Sequence, residues 1–168
     1  SRNAHLLAVA PNASSSIICG NTSPSIEPYR ANAFTQKTKS GSSLLKNEYL
    51  EHALQELDQD TDEVWKSIIT NNGSVQHLDF LDDWTKDVFK TAVEIDQRWI
   101  IEMAADRQKE ICQSQSLNVF FPANVSKQEL HAIHMMAWKK KVKTLYYLRS
   151  EAIKRAETVS DEALRQYI

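Results

Sequence analysis

Residues 114–121 read SQSLNVFF and are followed by Pro122, and residues 126–129 read SKQE. The first stretch gathers the apolar Leu117, Val119, Phe120 and Phe121 around Asn118 and is stopped by a proline, so it predicts a strand. The second is a capping box, in which the Ser126 hydroxyl accepts from the Glu129 amide and the Glu129 side chain reaches back. Strand, short loop and capped helix thus follow one another in that order. The helix carries Leu130, Ile133, Ala137 and Val142 inward and turns Lys139, Lys140, Lys141 and Lys143 mostly outward.

Outward from this unit, helix dominates. Gly at 3 and Pro at 4 of 168 residues lie far below their usual shares of roughly 7% and 5%, which predicts long helices and few tight turns. A helix is expected from Leu44, with Leu50, Ala53, Leu54 and Leu57 in one stripe. A second is expected from Thr61, burying Val64, Trp65, Ile68 and Ile69 and closed by Asn71-Asn72-Gly73. The longest is expected over Asp83–Ile111, its face marked by Trp84, Val88, Ala92, Ile95, Trp99 and Met103. Short strands are expected at His5–Ala10 and within Thr144–Arg149, and a short helix after Pro11. Residues 22–43 carry no sustained period and are expected to be surface loop with at most one short strand.

The composition, 42% hydrophobic and 25% charged, is that of a globular protein and excludes collagen, a disordered tail and a membrane protein. Lys plus Arg at 20 nearly balances Asp plus Glu at 22, so no broad attraction to nucleic acid or membrane is implied. Two cysteines without metal or disulfide spacing point to a reducing, cytoplasmic setting, and both Cys19 and Cys112 read as small buried residues. The four tryptophans read as core or interface anchors. The first ten residues lack the features of a signal peptide, and Ser160-Asp161-Glu162 announces a helix that ends with the chain. The expectation is a segment of a longer polypeptide, against the alternative of a frayed helix on a complete domain.

Two places carry candidate chemistry. Asn12-Ala13-Ser14-Ser15-Ser16 sits at a presumed helix start, where small residues, hydroxyls and the helix dipole suit a diphosphate; simple helix capping explains the same residues. Tyr146 and Tyr147 are adjacent phenols, which ordinarily serve different surfaces. Core packing is one reading, and the other is a redox relay, which requires a local bend that brings the rings together. His131 and His134 stand three apart on one helix without a third ligand at metal spacing, so no metal is expected.

Several ordered motifs together are similar to the C-terminal part of the large, catalytic subunit of class I ribonucleotide reductase of the kind found in T4-like phages. These are Arg2-Asn3 with Leu6–Ser16, the Ser25–Tyr29 segment SIEPY, Asn72–Gln76 (NGSVQ), Met103–Arg107 (MAADR), Gln113–Asn118 (QSQSLN), Trp138-Lys139, and Lys143–Arg149 (KTLYYLR). The resemblance implies that residues 1–168 form one incomplete domain, the last strands and outer helices of a ten-stranded α/β barrel. It implies that Asn12, Ala13, Ser14 and Ser15, with Ser16 at the edge, hold the substrate diphosphate, Asn12 standing where many relatives have Thr or Ser. Tyr146 and Tyr147 correspond to the family's stacked pair that passes a radical toward the active-site cysteine.

The family's thiyl-forming cysteine and its reducing pair have no counterpart in Cys19 or Cys112. The resemblance therefore implies reduction of ribonucleoside diphosphates to deoxyribonucleoside diphosphates only with the N-terminal part of the subunit and with a small radical-generating subunit. No cofactor is expected on this segment. The implied di-iron tyrosyl radical belongs to the small subunit, the large subunit is expected to dimerise, and the external thiol reductant is thioredoxin or glutaredoxin. The alternative is an inert fragment or helical assembly module that acts only by association with the rest of a split subunit.

Overall fold

A computed structural model of the chain describes residues 2–20, 23–38 and 41–150. The helix expected from Ser160 lies outside the described residues. In chain order the elements are α1 (Ala13–Ile18), β1 (Ala33–Thr38), β2 (Gly41–Lys46), α2 (Glu48–Glu56), α3 (Asp62–Thr70), α4 (Asp83–Val88), α5 (Gln97–Gln108), β3 (Val119–Phe121), α6 (Lys127–Lys139) and β4 (Leu148–Ser150). The chain divides into two compact units.

One unit comprises Ala13–Pro24 and Pro28–Ile95. Its core joins Ala33, Leu50, Leu54, Trp65, Ile68, Val75, Leu78 and Leu81, all buried. The segment expected to be loop instead forms an antiparallel hairpin, β1 pairing with β2 from Ala33↔Lys46 to Thr38↔Gly41. Leu44 and Leu45 therefore belong to β2, and the helix starts only after Asn47, whose side chain accepts from the Tyr49 amide. The hairpin alternates weakly because much of β2 is exposed, so no period of two was visible.

Buried amides tie this unit together. Asn32 donates through Nδ2 to the carbonyls of Gly73 at 3.0 Å and Phe89 at 2.7 Å, and Asn47 Nδ2 donates to Asn32 Oδ1 at 3.0 Å. Gly73 is required there: its φ is +80°, and a Cβ would stand 2.3 Å from that of Ala31. In the same NGSVQ stretch, Ser74 Oγ donates to Glu94, whose other oxygen accepts from the amide and hydroxyl of Thr91.

The second unit comprises Ser1–Asn12, Ser25–Glu27 and Asp96–Ile168. Its buried apolar residues include Ile100, Ile101, Ala104, Leu117, Val119, Phe120, Phe121, Ile133 and Ala137, and α5 packs on both α6 and β3. The expected helix over 83–111 is two helices. Glu94 turns the chain by binding Thr91, and Asp96 caps a new start by accepting from the Arg98 amide. The apolar stripe across the break is not the buried face. Trp99 and Met103 are exposed, whereas Gln97, Ile100, Ile101 and Ala104 point inward.

Strand pairing in this unit is parallel. Val119–Phe121 runs beside Leu148–Ser150, and Val9 bridges Gln115. The expected strand at 5–10 is reduced to that bridge, because Leu6 and Leu7 turn their amides to Cys112 Sγ. The expected strand at 114–121 shortens to β3, because the Leu117 amide bonds back to the Gln115 carbonyl at 2.9 Å and interrupts the extended chain. The strand expected within 144–149 appears one step later, as β4. The described residues form no closed barrel; the sheets are two-stranded.

Candidate functional site

Gln115 links two of the quoted motifs. Its Nε2 donates to the Ala104 carbonyl at 2.8 Å, and its Oε1 accepts from Arg107 Nε at 3.1 Å, so QSQSLN and MAADR form one hydrogen-bonded body. Burial holds the Arg107 guanidinium below its ordinary pKa. From this support the chain continues to Leu117 and Asn118, and these two residues receive the tyrosines. The Tyr146 amide donates to the Leu117 carbonyl at 2.8 Å, and the Tyr147 amide donates to Asn118 Oδ1 at 2.9 Å.

Tyr146 and Tyr147 lie in irregular backbone just before β4, not in a regular strand. Their ring centroids are 4.1 Å apart with planes tilted by 50°, so the neighbouring rings share one side of the chain. The hydrogen bond with Tyr147, the charge that Tyr147 would carry and slight desolvation hold the Tyr146 phenol above its ordinary pKa, while Arg149 opposes the rise. The Arg149 guanidinium lies 5.1 Å from the Tyr147 ring centroid, within cation–π range. Both rings are about half exposed, Tyr146 at 52% and Tyr147 at 50%.

The serine segment forms a single short helix. Asn12 has φ of +46°, and the helix begins at Ala13. Ser14 and Ser15 are exposed, whereas Ser16 is buried with its hydroxyl donating to the Ala13 carbonyl at 3.0 Å. Ser16 is thus committed to the turn itself. Ala13, Ser16 and Ile17 line an open concavity of about 290 Å³ together with Tyr29 and Arg30, which follow directly on the SIEPY glutamate and proline.

The other candidates fare differently. Cys19 and Cys112 are both exposed, correcting the expectation of buried thiols. α5 ends at Gln108, which leaves Cys112 in a turn against the N-terminal segment; its Sγ lies 3.0 and 3.1 Å from the amides of Leu6 and Leu7. Those hydrogen bonds hold its thiol below the ordinary range. His131 is exposed on α6, and His134 Nδ1 bonds the Leu130 carbonyl at 2.7 Å. Of the tryptophans Trp65 is core, while Trp84, Trp99 and Trp138 are 73%, 62% and 72% exposed. Glu27 and Asn118 were not singled out as site residues. Their only sequence signal was membership of the SIEPY and QSQSLN motifs; their burial is seen in the structure alone.

Against known families, the profile described as "Ribonucleotide reductase, barrel domain" matches residues 1–148. The chain belongs to the ribonucleotide reductase barrel family. It is 56% identical over 158 residues to the ribonucleoside-diphosphate reductase large subunit of Invertebrate iridescent virus 6, covering 92% of this chain and 16% of that protein. It is 41% identical over 167 residues to the corresponding large subunit of Caenorhabditis elegans, covering 98% and 21%. Among solved structures, the Actinobacillus ureae class Id ribonucleotide reductase alpha subunit superposes with a TM-score of 0.80 at 40% identity, over 94% of this chain and 28% of that one. The chain thus spans about a sixth to a quarter of the length of these reductase relatives.

Proposed function

We propose that residues 1–168 are the C-terminal portion of a ten-stranded reductase barrel and contribute two parts to the reduction of ribonucleoside diphosphates: a diphosphate anchor and a radical relay. The observation that carries this reading is the tyrosine pair. Neighbouring phenols with ring centroids 4.1 Å apart suit a relay, in which an electron and a proton leave one phenol together and arrive at the other. One tyrosyl is reduced to tyrosine as its neighbour is oxidised, so the pair conserves a single radical and a single missing proton. A small subunit bearing a di-iron tyrosyl radical supplies the initial oxidant, and a dithiol protein of the thioredoxin or glutaredoxin class restores the reducing thiols.

The diphosphate is held by the hydroxyls of Ser14 and Ser15 and the backbone around Asn12 and Ala13, with Ser16 fixing the turn from behind. Anchoring the non-reacting phosphates positions the ribose, so that binding energy lowers the barrier at a distant carbon. The working enzyme is a large-subunit dimer in the cytoplasm. No helix among the described residues is long and apolar enough to cross a membrane.

The test is reconstitution of this chain with the polypeptide that completes the subunit, the small subunit and a reductant. Tyr146→Phe and Tyr147→Phe are each expected to abolish turnover while leaving substrate binding and assembly intact; normal turnover in either variant overturns the relay. Ser14→Ala and Ser15→Ala are each expected to raise the substrate Kd about tenfold or more, since a hydrogen bond to a charged group contributes about 1.5–3 kcal/mol. A second reading, an inert module that acts only by association, draws on the exposed Leu6, Leu7, Trp99 and Trp138. Assembly without any gain of turnover favours it.

A further inference from the structure

Consecutive amides of an extended strand point to opposite edges, so a regular strand directs only alternate N–H groups to one neighbour and sends adjacent side chains to opposite faces. Tyr146 and Tyr147 break this rule. Both of their amides reach the same neighbouring segment, the first to the Leu117 carbonyl and the second to the side chain of Asn118, and the Tyr147 carbonyl accepts from the Val119 amide at 3.0 Å. The second amide is caught because a side chain supplies the acceptor that a backbone ladder would not. Asn118 is itself 5% exposed, and its backbone amide donates at 3.3 Å to Oε1 of Glu27, a carboxylate only 7% exposed. Glu27 reaches it from 91 positions away in the chain, two residues after Ser25, whose φ is +48°.

We infer that Asn118, anchored by Glu27, is the positioning residue that bends the chain at residues 146–147 and so places the two phenol rings on one side. The inference rests on the relay reading for its functional meaning, but its structural content stands apart from that reading. Removing the acceptor releases the Tyr147 amide to an ordinary extended geometry, and the rings then separate to opposite faces.

The experiment compares Asn118→Leu, which keeps the volume but deletes the acceptor, with Asn118→Asp, which keeps it. Val119→Ala, a neighbouring core truncation, serves as the control for general loss of stability. In the full chain, two-dimensional NMR reads ring-to-ring contacts between Tyr146 and Tyr147, and ultraviolet titration reads the phenols. Asn118→Leu is expected to lose the ring-to-ring cross-peaks and to bring the Tyr146 titration down toward that of a free phenol, while Asn118→Asp and Val119→Ala retain both.

Replacing the residue-147 amide by an ester removes only the N–H and is expected to give the same loss, which covers the case in which Asn118→Leu does not fold. Cross-peaks that persist in the ester and in a folded Asn118→Leu chain overturn the inference. Turnover of the reconstituted enzyme separates the two readings. Lost ring contact with lost turnover supports both. Lost ring contact with full turnover retains the positioning role and overturns the relay.

Discussion

At the residue scale, the hydrogen bonds that fix a charge also fix the pH at which the charge matters. Asp60 accepts from the Trp65 indole at 2.6 Å and from Gln55 at 3.2 Å, with Lys46 at 3.8 Å, and these hold its carboxyl below the ordinary value of 3.8. The native state therefore favours the ionised form. The stabilisation is complete above the unfolded value and is lost as the pH falls through the depressed native one. Asp60→Asn is expected to flatten the acid limb of stability below about pH 4, read from thermal melts across the acid range; an unchanged limb refutes the linkage.

Cys112 illustrates the same rule for a thiol. Two backbone amides favour its thiolate, so its alkylation by iodoacetamide, followed by mass spectrometry, should reach half its limiting rate below the ordinary thiol pH range. Spacing along the chain does not disclose this environment, because the amides belong to residues more than 100 positions away.

At the scale of elements, helix starts were more legible than helix ends. Thr61 and Ser126 cap as their sequence contexts predict, accepting from the amides of Val64 and Glu129. Three helices end in paired backbone bonds around a residue with positive φ, yet those residues are Asp58, Asn72 and Lys141 rather than glycine. Around Lys141, for example, the Val142 amide reaches the Ala137 carbonyl and the Lys141 amide reaches that of Trp138. Few glycines thus meant strained helix ends rather than an absence of turns.

Lys141→Gly is expected to stabilise the chain by about 0.5–1 kcal/mol, measured as a rise in Tm. Gly73→Ala is expected to destabilise by about 2 kcal/mol or more, since it adds both the strain and the clash with Ala31. The stripe over 83–111 misled because spacing alone does not say which face meets the core. The break was nonetheless written in Asp96, a capping residue inside the supposed helix.

At the scale of the whole chain, the motifs disclosed the family, whereas pairing among distant segments was hidden. The relation of Glu27 to Asn118 and of Val9 to Gln115 depends on which segments fold against each other, and no local period records it. Trp99 and Trp138 expose large apolar rings, as a surface that meets further polypeptide would. Association with the completing part of the subunit is expected to shift tryptophan emission to shorter wavelength and to reduce acrylamide quenching. Trp99→Phe and Trp138→Phe would identify the reporter, and unchanged quenching on association would place that polypeptide elsewhere.

The bridge between Val9 and Gln115 also bears on how the chain folds. Residues 6 and 7 find their partner at residue 112, a separation of 106 and 105 positions, so closing that loop precedes any reward from the contact. During synthesis, residues 6 and 7 can meet Cys112 only after the whole intervening stretch has emerged. A contact that spans so much of the chain forms late, and its loss would be felt first in the rate of folding rather than in local structure.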